Sequence, residues 1–152
     1  AVTADHGEGL GERHWTHGWN LYDEDIRIPL LLWDSEPTRY RNLAFATQVD
    51  IAPTLLDRVG LPVPTGWPGR SLLSQDARTE SFHEAYFPPP RYAVLHRSDT
   101  ALFKFIATPR YGQEELYDLT HDRREKTNLI DREPALAARL RASLEAYRAL
   151  DR

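Results

Sequence analysis

The sequence predicts an α/β chain: strands and one short helix in its first half, then an antiparallel hairpin module closed by a terminal helix. Three observations carry this. Apolar residues at 1–4 and in "IRIPLLLW" (26–33) flank a polar turn; "RYAVLH" and "ALFKFIAT" alternate at period two; and apolar residues recur on one helical face after Pro134.

Taken in order, residues 1–4 read as a buried strand and 26–33 as a second one, with Pro29 expected at its edge or at a bulge. "VDIAPTLLDRVGLP" predicts a short helix. Asp50 is placed to cap it, Pro53 is tolerated in its first turn, Leu55, Leu56 and Val59 make its apolar face, and Gly60 ends it. "PVPTGWPGRS" is a loop rich in turn residues, and "YFPPP" (86–90) is a stiff extended connection. A hairpin turns at "RSDT", and a further short strand is expected at "EELYDL". In the terminal helix Leu136, Leu140, Leu144 and Tyr147 share a face, with Asp131 and Glu133 at its positive end and Arg148 and Arg152 at its negative end. Lys104, on an alternating strand, and the "DRREK" run at 122–126 read as solvated faces. His83, His96 and His121 have no partners in sequence.

Bulk numbers narrow the function. The 152 residues are 41% hydrophobic and 28% charged with a net charge of −4, a balance that argues against a surface built to neutralise nucleic-acid phosphates. No apolar run approaches the roughly 20 residues that span a bilayer. Without cysteine there is no disulfide, thiolate metal site or cysteine nucleophile within the chain, and cysteine usage assigns no compartment. Methionine is absent even at position 1, and the opening residues read as a strand entered midway, so the chain is expected to be a segment of a longer reading frame.

Chemistry concentrates in "TADHGEGLGERHWTHG" (3–18). Asp5 and His6 stand where a strand stops, the place where ligands gather in open α/β sheets. Gly7 allows the backbone to turn so that both side chains can converge, and a carboxylate with an imidazole suits calcium, manganese or magnesium better than a structural zinc site. Two ligands leave a hard cation short of its six to eight donors. The plainer reading is a strand-to-loop turn in which Asp5 caps amides and His6 is a half-buried hydrogen-bonding residue. His17 could reach back over the strand end as a cationic or proton donor, against the simpler reading of a solvated loop histidine. His14 has less to recommend it, and Trp15 and Trp19 read as loop packing.

The run "TADHGEGLGERHWTHGWNLYDEDIRIPLLLW" resembles the sulfatase family of the alkaline phosphatase superfamily, which carries an Asp-His-Gly turn, a Leu-Gly-Glu segment, a basic residue, "LY-E" and "R-V/I-P-L". "VDIAPTLLDRVGLPVPTGWPGRSLL" is similar to the family's Asp-Ile-x-Pro-Thr helix and following Gly-Arg-Ser-Leu, and "EELYDLTHDRREKTNLID" to its Glu-Leu-Tyr-Asp-Leu and Asn-Leu signature. The resemblance implies an alkaline phosphatase-like α/β fold. Residues 1–75 would be the incomplete C-terminal part of the metal-bearing domain, with closing strands of its central sheet. Residues 76–152 would form a subdomain with a small antiparallel sheet and the terminal helix.

It further implies that Asp5 and His6 are metal ligands, that His17 contacts the sulfate group, and that Arg27 and Pro29 belong to a framework motif. Calcium is the first expectation for the ion, manganese or magnesium the alternatives. The nucleophile would be a formylglycine hydrate, made from a Cys/Ser-x-Pro-x-Arg motif that the family places before the Asp-His-Gly turn. "SEPTR" (35–39) matches that pattern on the wrong side of the turn and reads as a surface loop. The implied activity is sulfate ester hydrolysis by the intact enzyme, the segment by itself being inactive. A phosphoethanolamine transferase or a phosphodiester or phosphonate hydrolase of the same superfamily is the nearest alternative. A non-catalytic folding or interaction module, sticky through its uncovered core face, is the alternative from another class.

Overall fold

Four strands in sequence order build the principal sheet, each antiparallel to the one before: β3 (Glu80–Ala85), β4 (Arg91–Arg97), β5 (Leu102–Thr108) and β6 (Gln113–Asp118). The computed structural model describes all residues except Asn42, Ala77, Asp151 and Arg152, so the expected charge at Arg152 lies outside the described residues. The chain divides into two units: Ala1–Asp5 with Pro29–Thr79, and His6–Ile28 with Glu80–Arg152.

In the second unit the register of the sheet sorts side chains into two faces. Phe82, Val94, Phe105 and Leu116 are cross-strand partners in one row. That row packs on α3 (Pro134–Leu150), whose Ala137, Leu140 and Leu144 are buried, while Tyr147 stacks on Phe82 with centroids 4.3 Å apart. The expected helix, its apolar face and the hairpin at Ser98–Ala101, where the Ser98 N–H donates to the Ala101 carbonyl, are all present. The opposite face carries Ala93, Ile106 and Tyr117, covered by Leu21 and by the partly buried Tyr22 and Ile26. Strand β3 was not expected from the sequence, because "ESFHEA" mixes polar residues into both of its faces.

That second covered face overturns the expectation for Lys104. Its side chain is 0% exposed and Glu125 is 2% exposed, although Arg123, Arg124 and Lys126 around it are exposed. Alternation predicts solvent on a strand's second face only if nothing packs there, and here the 20–26 segment does.

In the first unit, β1 (Val2–Thr3) pairs antiparallel with β2 (Leu30–Leu31). Both are shorter than expected, and residues 1–4 are not buried: Val2 is 65% exposed. Ile26 instead ends a helical turn, α1 (Asp23–Ile26), in the other unit, and Pro29 has no N–H for a ladder, leaving Leu30 and Leu31 to pair. The Thr3 hydroxyl donates to the Pro29 carbonyl at 2.7 Å.

The helix α2 (Ile51–Arg58) forms with Pro53 in its first turn and is capped at Val59, and Gly60, which adopts φ +73°, turns the chain away just after it. Its buried residues are Pro53 and Thr54, whereas Leu55 and Val59 are exposed, so the face expected from Leu55, Leu56 and Val59 is not the one it buries. A polar anchor decides this: the Thr54 hydroxyl donates to the Asp50 carbonyl at 2.6 Å and accepts the Leu72 N–H at 2.9 Å. Asp50 stands at the N-cap position of α2, as expected, but its side chain makes no capping bond there. Its carboxylate accepts the Thr47 N–H and hydroxyl, the Arg70 N–H and an Arg78 guanidinium nitrogen at 2.5 to 2.9 Å. Gly69 lies against this turn so closely that a Cβ there would meet the Val49 carbonyl oxygen at 1.7 Å. Residues 35–39 are a surface loop, where Arg58 grips Asp34 through two nitrogens and reaches Glu36 at 3.0 Å.

Candidate functional site

The loop that leads from His6 to α1 is short of regular structure and rich in glycine, and its shape follows from a few backbone contacts. The Gly9 N–H donates to the Thr16 carbonyl at 3.3 Å and the Gly11 N–H to the His14 carbonyl at 3.1 Å, with Gly11 at φ +104°. Gly7 is tied to the start of α1: its N–H donates to the Asp25 carbonyl at 2.7 Å, and a Cβ on it would lie 2.0 Å from the Glu24 carbonyl oxygen.

Folded this way, the loop stacks His6 on His17, ring centroids 3.7 Å apart and planes inclined by 25°. His6 Nδ1 lies 2.7 Å from the Gly7 carbonyl oxygen. A carbonyl only accepts, so Nδ1 is the donor in this contact. His17 Nδ1 lies 3.0 Å from Glu8 Oε2. Asp5 closes the first unit, where the Gln48 side-chain amide donates to the carbonyls of Ala4 and Asp5 at 2.9 Å each. Trp19, next along the loop, stacks on Phe87 with centroids 4.6 Å apart, and Arg91 donates to the Trp19 carbonyl and the Asn20 side-chain oxygen.

His14, which the sequence recommends least, sits in the densest donor group. Its Nε2 lies 3.0 Å from Asp25 Oδ1 and its Nδ1 3.1 Å from Glu24 Oε1, and Asn20 Nδ2 approaches the ring at 3.1 Å. Among the described residues these three, His14, Glu24 and Asp25, form the group whose ligand atoms lie within 4.8 Å of one another, close enough to hold an ion. Here they hold each other. Nothing local in the sequence signals this, because ten residues separate His14 from Asp25.

Ionic contacts continue beneath the loop. Lys104 Nζ meets Asp23 Oδ1 at 2.6 Å and Glu125 Oε1 at 2.8 Å, and burial pushes the Glu125 carboxyl above its ordinary range despite that lysine. Tyr22 and Tyr117 both donate to Glu115 Oε2, at 2.7 and 2.5 Å. Burial, followed by the neighbouring Glu115 carboxylate, pushes the Tyr22 hydroxyl up to about 12.

A sulfatase family model matches residues 1–61. The multifunctional alkaline phosphatase superfamily protein PehA of Trinickia caryophylli is 30% identical over 161 residues, an alignment covering 91% of this chain and 31% of that protein. Arylsulfatase K of Rattus norvegicus is 29% identical over 161 residues, covering 95% of this chain and 28% of that one. The chain thus spans about a third of the length of these curated relatives. The crystal structure of yidJ from Bacteroides fragilis matches with a TM-score of 0.74 at 20% identity, over 95% of this chain and 34% of that chain, a likeness of fold. Among the described residues no helix is long and apolar enough to cross a membrane. With the Asp-His-Gly turn, the "LYDEDIRIPL" run and the "ELYDL" strand in order, the chain is similar to the sulfatases along most of its length, on the alkaline phosphatase-like fold of its structural neighbours, and its first 61 residues match the sulfatase family itself.

Proposed function

We propose that this chain contributes metal-binding and sulfate-binding residues to a sulfuric ester hydrolase. The observation that carries the reading is the pairing of His6 with His17: one imidazole has its Nδ1–H engaged by the Gly7 carbonyl, and the other lies flat against it. A histidine that ligates a metal commonly donates its other ring N–H to a carbonyl or carboxylate, so the donor set at His6 fits that role.

Asp5 and His6 would hold the ion, and a carboxylate oxygen with an imidazole nitrogen suits calcium first and manganese or magnesium next. A bound cation would supply positive charge to a sulfuryl oxygen as charge develops there. His17, oriented by Glu8, would donate a hydrogen bond to the sulfate oxygens and hold the ester in place. We place the formylglycine nucleophile outside these 152 residues and assign Ser35, on its exposed loop, no part in the reaction.

The second reading is a phosphodiester or phosphonate hydrolase, or a phosphoethanolamine transferase, of the same superfamily. Similarity to PehA, described as multifunctional, supports it. Turnover of an aryl sulfate, a carbohydrate sulfate and an aryl phosphodiester by the whole protein that carries this chain separates the two. The sulfatase reading expects the sulfate esters to be preferred, with activity lost to a chelator, restored by calcium or manganese, and lost in Asp5→Asn. Preference for the phosphodiester, or full activity in Asp5→Asn, would overturn it.

A further inference from the structure

We propose that Lys104 and Glu125 are positioning residues for the loop that carries His6 and His17, a role whose catalytic consequence rests on the reading above. The contacts run unbroken from the sheet to the loop. Lys104, on the β5 face away from α3, places its ammonium between Asp23 and Glu125. The other Glu125 oxygen accepts the Asp23 N–H at 2.8 Å. Glu125 holds φ +51°, a region that L side chains rarely adopt, and in it the carbonyls of Arg124 and Glu125 accept Arg13 Nη2 at 2.8 and 2.6 Å.

Arg13 Nη1 then lies 3.7 Å from Glu24 Oε2, Glu24 meets His14, His14 meets Asp25, and the Asp25 carbonyl accepts the Gly7 N–H beside His6. Four carboxylates, of Asp23, Glu24, Asp25 and Glu125, share the two fixed cations Lys104 and Arg13 together with the His14 imidazole. Removing Lys104 leaves the buried Glu125 carboxylate beside Asp23 with Arg13 as its remaining cation, and the repulsion is relieved by displacing the start of α1, to which the loop is tied through the Gly7–Asp25 hydrogen bond. The sheet has a separate support on its α3 face, where Val94, Phe105 and Leu116 pack against Ala137, Leu140 and Leu144. The network therefore acts on the loop's geometry, and a catalytic group displaced by an ångström loses much of its rate.

Amide hydrogen exchange of the whole protein tests this with Glu125→Gln, which keeps the side chain's shape, and with Lys104→Met. Exchange across residues 7–18 is expected to accelerate about tenfold or more while β4 and β5 keep their protection. At temperatures where both variants are folded, kcat for a sulfate ester should fall about 10- to 100-fold with KM changed far less. Unchanged exchange at 7–18, or acceleration spread equally over β3–β6, would overturn the proposal. If Lys104→Met does not fold, Glu125→Gln carries the same comparison. If the unmodified protein turns over no sulfate ester, the sulfatase reading falls, and the exchange comparison still decides the role of the pair.

Discussion

The imidazoles of His6 and His17 stack at 3.7 Å, so the residue assigned to the metal and the residue assigned to the sulfate are packed as one unit. Replacing His17 with Ala removes the proposed donor and the stacked ring together. We expect the sulfate ester kcat to fall by about 10² to 10⁴. Steady-state kinetics on the whole protein measure it, and a kcat within error of the parent would remove His17 from the reaction.

Gly7 allows the loop its contact with α1. In Gly7→Ala the added Cβ would sit 2.0 Å from the Glu24 carbonyl oxygen, a backbone atom that cannot swing aside. The loop must lift and break the Gly7–Asp25 hydrogen bond, costing about 1–3 kcal/mol. Denaturant melts should show that loss, and an unchanged midpoint would mean that the approach is looser than described.

Asp50 organises the first unit through the guanidinium of Arg78 and the amides of Arg70 and Thr47. Asp50→Ala strands the largely covered Arg78 guanidinium and should cost about 3–5 kcal/mol. Burial alone would raise this carboxyl, but the Arg78 hydrogen bond and the two amides outweigh it and hold its pKa below the ordinary value. A depressed folded-state pKa stabilises the native state above the unfolded value of about 3.9, and that stabilisation fades as pH falls from there through the depressed value. Urea melts from neutral to acid pH should be flatter for Asp50→Asn than for the parent, and parallel curves would count against this account.

Leu140 is fully buried between α3 and the row of Val94, Phe105 and Leu116. Leu140→Ala should cost about 2–5 kcal/mol by lost burial and an unfilled cavity. Calorimetry or chemical melts would register it, and a cost under about 1 kcal/mol would show that the helix repacks.

What the sequence by itself determined is what periodicity and short motifs encode. Alternation in "RYAVLH" and "ALFKFIAT" set the β4–β5 hairpin, and the spacing of Leu140 and Leu144 set the buried face of α3. The Asp-His-Gly turn and its companions pointed to the family, since their order survives without any knowledge of contacts. Tertiary structure alone decided the rest. Alternation shows that Lys104 and Ile106 share a face but not what covers it, and the cover comes from a segment 81 residues earlier in the chain. Arg13 meets Glu125 across 112 residues, and His14 meets its carboxylates only after the loop has turned back on α1. An ion pair depends on where two distant backbones are brought, and a local pattern of polar and apolar residues carries no record of that distance.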